Sequence, residues 1–154
     1  MTKKIFIYYS LTGNGDEVAS CLKSKGYDIR KIITKEPLPN NYIFRILAGG
    51  YKAMINYEDK LLDFNQDISE YDEVIVGSPI WNSRLSSPIN TVLNILDLKN
   101  KNITFILYSG SGKSPKATER LKKEYPNSKI IDLKEPRINK EELKKFNLKD
   151  IYNI

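Results

Sequence analysis

The chain has 154 residues, 40% hydrophobic and 29% charged, with a formal net charge of +6; this suits one globular core and excludes a disordered polymer. A single cysteine, Cys21, and no histidine exclude an internal disulfide and the usual zinc ligand sets. Residues 99–154 carry 14 Lys/Arg against 7 Asp/Glu and residues 1–98 carry 11 against 12, an asymmetry that a Lys-rich solvated face explains more simply than a nucleic-acid surface.

The opening "MTKKIFIYYS" has an apolar run too short for a signal peptide or a membrane span, so it is read as a first strand in a cytoplasmic protein. "KIFIYYS" (4–10) lacks polar alternation, as expected of a strand covered on both faces. Comparable runs follow at 27–33, 72–78, 102–109 and 128–133. Helical spacing separates them: Val18, Cys21 and Leu22; then Ile89, Val92, Leu93 and Leu96 after Pro88; then Ala117, Leu121 and Tyr125 after a Ser114-Pro115 start. Cys21 falls on the inward face of its helix, where a free cysteine is commonly inert. Residues 42–64 begin with helical apolar spacing, but Gly49-Gly50 is expected to weaken or kink that helix before an irregular return. The final "NKEELKKFNLKDIYNI" predicts a short helix that turns Leu143 and Phe146 to the sheet.

Five strands alternating with helices predict an α/β fold: a doubly wound parallel sheet of order 2-1-3-4-5 with helices on both faces. Ligands then bind at the carboxyl ends of the strands where the winding reverses, which selects the loops after strands one, three and four. The first, Ser10-Leu11-Thr12-Gly13-Asn14-Gly15, combines hydroxyls, glycines and a helix start without Lys or Arg. Its backbone N–H groups can surround a phosphate monoester held by neutral donors. A plain capped strand-to-helix turn would use the same residues. The second, residues 77–88, carries the only tryptophan, Trp81; its indole either stacks on a flat conjugated ring or packs under a neighbouring helix. The third, residues 108–115, supplies glycines and hydroxyls again. Its Gly112-Lys113-Ser114 is the end of a nucleotide-binding phosphate loop, but Leu107 stands where that motif needs glycine.

"YSLTGNG" resembles the phosphate loop of flavodoxins, Ser/Thr-x-Thr-Gly-x-Thr; "VIVGSPIWNSRLSSPINTVL" is similar to their segment from strand three through the ring-binding loop, and "FILYSGSGKS" to their third loop. The resemblance spans residues 4 to about 125, and residues 45–50 are similar to those of small flavodoxin-like proteins. It implies one flavodoxin-like domain over residues 1–154 that binds a single non-covalent FMN. Ser10, Leu11, Thr12, Gly13, Asn14 and Gly15 would hold the phosphate. Ser78, Pro79, Ile80, Trp81, Asn82 and Ser83 would line the ring, and Ser109, Gly110, Ser111 and Gly112 would close the other side.

Three departures stand out. Gly15 replaces the family's Thr or Asn, removing a hydroxyl contact worth roughly 1.5–3 kcal/mol at most. Asn82-Ser83 replaces a common glycine, so a peptide flip there costs more. The net charge is positive where flavodoxins are typically acidic. The resemblance implies an electron carrier working with one or two electrons, without catalytic side chains or metal. The alternatives are an FMN-dependent NAD(P)H oxidoreductase of quinone-reductase type and a flavin-free interaction module. Expected partners are redox proteins with an acidic docking face, not nucleic acid or membrane, and a monomer is favoured over a homodimer.

Overall fold

The computed structural model describes residues 2–146. Its elements run β1 (Lys4–Tyr8), α1 (Asn14–Ser24), β2 (Asp28–Lys31), α2 (Tyr42–Met54), β3 (Glu73–Trp81), β4 (Arg84–Leu85), α3 (Ser87–Ile95), β5 (Asn102–Ser109), α4 (Pro115–Glu124), β6 (Lys129–Lys134) and a 3-10 helix (Lys140–Phe146). Five strands pair in parallel in the order β2-β1-β3-β5-β6. This is the expected winding with one addition: β3 runs on past the sheet and the two-residue β4 folds back on it antiparallel, pairing Ile80 with Leu85 and Trp81 with Arg84. Among the described residues no helix is long and apolar enough to cross a membrane.

The two faces of the sheet follow from the period of two along each strand. Ile5, Ile7, Val74, Val76, Phe105 and Leu107 point to one side, where Ile89, Val92 and Leu93 of α3 and Leu121 of α4 meet them. Phe6, Tyr8, Ile75, Ile106 and Tyr108 point to the other, under Val18, Ala19 and Leu22 of α1. Cys21 packs at the edge of this second cluster and Phe146 of the 3-10 helix is fully buried in it, with Leu143 beside it. The remainder of the expected C-terminal helix, 147–154, lies outside the described residues. With α1 on one face and α3 and α4 on the other, the winding reverses between β1 and β3.

The segment after β2 contains the main correction to the sequence reading. Asn41 caps α2 by accepting the N–H groups of Ile43 and Phe44 at 3.0 and 3.3 Å, and the helix then continues through Gly49 and Gly50 without a break. The glycines serve packing. A Cβ on Gly49 would lie 3.3 Å from Cδ2 of the Trp81 indole, a tight contact, so the glycine lets that ring settle closely against the helix. The irregular return, as expected, follows α2. It is anchored by buried Asp59, which accepts from Ser87 Oγ and, at 2.7 Å, from Lys52 Nζ. Thr91 Oγ1 donates to the Asp59 carbonyl at 2.6 Å and Asn90 Nδ2 to the Tyr57 carbonyl at 3.0 Å.

The two glycines of α2 therefore predict opposite outcomes. A Cβ on Gly50 has only Asn82 Cβ near it, at 3.9 Å, so Gly50→Ala stabilises the protein by about 0.5–1 kcal/mol through helix propensity alone. Gly49→Val forces the indole away and destabilises by about 1–3 kcal/mol. Urea unfolding followed by circular dichroism measures both, and equal shifts in the two variants would refute the packing role of Gly49.

Candidate functional site

The first loop is built around one side chain. Ser10 Oγ accepts the backbone N–H groups of Gly13 at 3.2 Å and Gly15 at 3.0 Å. These two bonds fill the oxygen's lone pairs, so the hydroxyl proton is left as a donor. Gly13 precedes α1 in the left-handed region, φ +97°. The helical ladder begins with the Glu17 N–H bonded to the Gly13 carbonyl at 3.1 Å, which leaves the Asn14 and Asp16 amides ahead of it at the positive end of the helix. The amides of Gly13 and Gly15 thus converge on a single serine oxygen.

Gly15 has a second reason to be glycine. A Cβ there would stand 2.5 Å from Tyr108 Oη, 2.7 Å from Tyr8 Cδ2 and 2.9 Å from Ser10 Cβ. Tyr108, only 2% exposed, donates its hydroxyl to the Tyr9 carbonyl beneath the loop. It fills the space that any larger residue at position 15 would need. Burial raises the Tyr108 phenol well above its ordinary pKa. Burial followed by the Asp16 hydrogen bond raises Tyr8 as well. Burial pushes the Asp16 carboxyl up, but bonds from Lys31 at 2.8 Å and Tyr8 Oη at 2.7 Å overcome it and hold the group below its ordinary value. The floor of the site is a set of neutral phenols and a countered carboxylate.

The expectation that this loop lacks a positive charge is corrected by the fold. Arg137, 125 residues beyond Thr12, donates from Nη1 to the Thr12 carbonyl at 2.8 Å, and its backbone N–H donates to Asn14 Oδ1 at 3.1 Å. No local motif signals this contact, because it exists only once β6 lies beside β5 and the chain turns back.

The second loop is a two-residue hairpin. Asn82 and Ser83 both adopt positive φ, 51° and 63°, the signature of the type I′ turn that suits the twist of β3 and β4. Ser83 is tied elsewhere: its carbonyl accepts the Ala117 N–H at 2.9 Å and its Oγ the Lys116 N–H at 3.3 Å. Those are the amides α4 leaves open after Pro115, so the hairpin caps that helix. The Ser114 hydroxyl, which the sequence assigns to this cap, bonds instead to Asp132. Ser78 is fully buried, donating to the Pro79 carbonyl at 2.8 Å and lying 2.9 Å from Ser86 Oγ; its side chain fixes the base of the hairpin. Trp81 meets Tyr9 edge to face, with ring centroids 5.9 Å apart, and its indole also lies against Gly49 of α2.

In the third loop, Ser109 Oγ accepts the Gly112 N–H at 2.9 Å, and Ser111 Oγ accepts the Lys113 N–H at 3.2 Å. Gly112 has φ +70°, and a Cβ on it would lie 2.9 Å from Lys134 Cβ. Gly110 has open space around it.

All three loops border one cleft of about 800 Å³. Leu11 and Thr12 come from the first, Ile80, Trp81 and Asn82 from the second, and Gly110 from the third. The fourth wall is α2, which the sequence reading missed as part of the site: Tyr42, Leu47 and Tyr51 line the cleft, with Arg45 among them. Its clue was the glycine pair inside an amphipathic run. Burial, then Asp59, raises the nearby Tyr9 phenol, against a lowering by Arg45. The arrangement offers an apolar slot for a planar group and, at one end, donors for an anion. Among the described residues no cluster of Cys, Asp or Glu is placed to hold a metal.

The family model that matches the chain is described as Flavodoxin and covers residues 51–152. Among solved structures, a protein of Bacteroides eggerthii DSM 20697, provisionally described as a flavoprotein, is 26% identical with a TM-score of 0.72, over 91% of this chain and 95% of its own. A flavoprotein of Lactobacillus acidophilus NCFM, solved in complex with FMN, is 16% identical at TM-score 0.66, over 92% and 98%. Oxidised flavodoxin 1 of Bacillus cereus is 13% identical at 0.51, over 99% of each chain. No curated protein matches. The last two likenesses show the fold alone, whereas the sequence match covers most of the chain and includes the hairpin of Trp81 and the loop of Gly110. The chain belongs to the flavodoxin family.

Proposed function

We propose that the protein binds one FMN in this cleft and serves as an electron carrier. The observation that carries the reading is a cleft at which an aromatic, apolar slot adjoins a nest of backbone and hydroxyl donors. Its volume of about 800 Å³ is of the size that holds cofactors. Rotation of Ser10 about χ1 would release the Gly13 and Gly15 amides to the phosphate. Thr12 and Asn14 add side-chain donors at the mouth. Ile80, Trp81 and Asn82 would flank the ring on one side, Gly110 on the other, and α2 would cover its outer edge. Bound FMN supplies the redox chemistry, taking up and releasing one or two electrons. The chain's own part is to bind, orient and shield it. The likeness to an FMN-bound flavoprotein supports the same reading.

The partner expected is a redox protein with an acidic face. Support comes from a groove beside the ring hairpin, where Arg84, Lys116, Arg120 and Lys123 outnumber Glu119 and Glu124. Arg120 is itself engaged by Glu124 at 3.1 Å and Asn90 Oδ1 at 2.6 Å. One observation favours a flavin-dependent NAD(P)H oxidoreductase instead. Away from the cleft wall α2 is also apolar yet exposed, Ile43 by 66% and Phe44 by 61%, a surface on which an apolar acceptor would sit. Oxidation of NADPH by the purified protein alone would decide for that second reading.

Titration with FMN, followed by the emission of Trp81, the only tryptophan, tests the site. Stoichiometric quenching is expected, with FMN bound at least about tenfold more tightly than riboflavin, the worth of one charge-assisted hydrogen bond. Equal affinities would remove the phosphate seat, and unchanged emission would remove the ring slot. The pH dependence has a definite sign. The chain has no histidine to titrate between pH 5 and 8, whereas a phosphate monoester loses its second proton near pH ~6. FMN affinity should fall as pH drops through that value while riboflavin affinity stays level; a parallel fall for both flavins would assign the change to the protein.

A further inference from the structure

We propose that Arg137 is a specificity-determining residue of this site: it fixes the first loop in its anion-binding form and supplies the positive charge by which the site prefers a flavin phosphate ester to neutral flavin. The inference rests on the reading of residues 10–15 as the phosphate seat.

The segment that carries Arg137 is built to place it. After β6 the chain turns at Glu135, φ 43°, whose N–H bonds to the Ser109 carbonyl at 3.0 Å, and the Asn139 N–H closes the turn on the Glu135 carbonyl at 2.8 Å. Beyond the turn, Lys140 pairs with Glu17 of α1, the Lys134 N–H bonds to Glu142 at 2.9 Å, and buried Phe146 docks on the α1 side of the sheet. Arg137 is thereby held over the loop from two directions.

Its contacts engage three consecutive loop residues. The guanidinium takes the Thr12 carbonyl, the backbone N–H takes the Asn14 side chain, and Cδ lies 3.0 Å from where a Cβ on Gly13 would be. A peptide group is planar and trans, so its carbonyl and its N–H point in opposite directions. Holding the Thr12 carbonyl toward Arg137 therefore turns the Gly13 N–H inward, where Ser10 Oγ receives it at 3.2 Å. The side chain thus orients a donor that it never touches.

The charge balance at the loop points the same way. Asp16 and Glu17, in the first turn of α1, would repel an anion, but Asp16 is countered by Lys31 and Glu17 by Lys140. Arg137 contacts a carbonyl and an amide oxygen, neither of which carries a full charge. Four of its five N–H donors remain beyond the Thr12 bond, on an exposed side chain at the rim of the nest. A lysine would bring the charge without the fork that spans a carbonyl and a phosphate oxygen together.

The test compares wild type, Arg137→Gln and Arg137→Lys, each titrated with FMN and with riboflavin at low and high salt, with a thermal melt to verify folding. In Arg137→Gln, FMN affinity should fall about tenfold and depend less on salt, while riboflavin affinity is unchanged. Arg137→Lys should recover part of the loss. A wild type that prefers FMN together with a glutamine variant that keeps the full preference overturns this role alone. Equal losses for the two flavins reduce Arg137 to a structural brace and also overturn it. A wild type without preference for FMN removes the phosphate seat and this role together.

Discussion

Because β1, β3 and β5 are covered on both faces, they have no open side on which to build a site, and their chemistry is confined to the loops at their carboxyl ends. The reversal of winding between β1 and β3 places α1 on one side and α3 on the other, so these loops part instead of closing over each other. Tyr108 adds the local condition. Its buried hydroxyl, bound to the Tyr9 carbonyl, stands where any side chain at position 15 would have to go. The backbone between Ser10 and α1 must therefore pass close above the sheet, and that closeness points the Gly13 and Gly15 amides at one oxygen.

Much of this was legible in the sequence, for identifiable reasons. Apolar runs without alternation specify strands buried on two faces, and four of them lie within a residue or two of the observed β1, β2, β5 and β6. The three loops could be selected from topology before any motif was considered, and Leu11, Thr12, Ile80, Trp81, Asn82 and Gly110 do meet at one cleft. Residues that misled are those whose role depends on a distant neighbour. Gly49 looks like a helix weakness until Trp81 lies against it. Ser114 reads as a helix cap by type and position, yet Asp132 on β6 claims it.

Charge shows the limit of composition most clearly. A surplus of Lys and Arg after residue 98 describes a basic half but not where its charges act. The fold divides them among separate tasks. Lys140 and Lys145 counter carboxylates, at Glu17 and Glu142. Lys101 gathers the Ile68 and Tyr71 carbonyls at 3.0 and 2.7 Å, fastening the end of the long loop to β5. Arg137 crosses to the first loop, and Lys116 and Lys123 stay beside the ring hairpin. A net charge of +6 is thus the remainder of several local balances, in keeping with the short reach of exposed charges in salt.

Ser83 belongs to the hairpin by sequence and to α4 by hydrogen bonding. Without these bonds the Lys116 and Ala117 amides would have no acceptor, so the first turn of α4 depends on the hairpin's position. The basic residues Lys116 and Arg120 ride on that turn and the next. The mouth of the cleft and the start of the basic helix are thereby joined through a single serine.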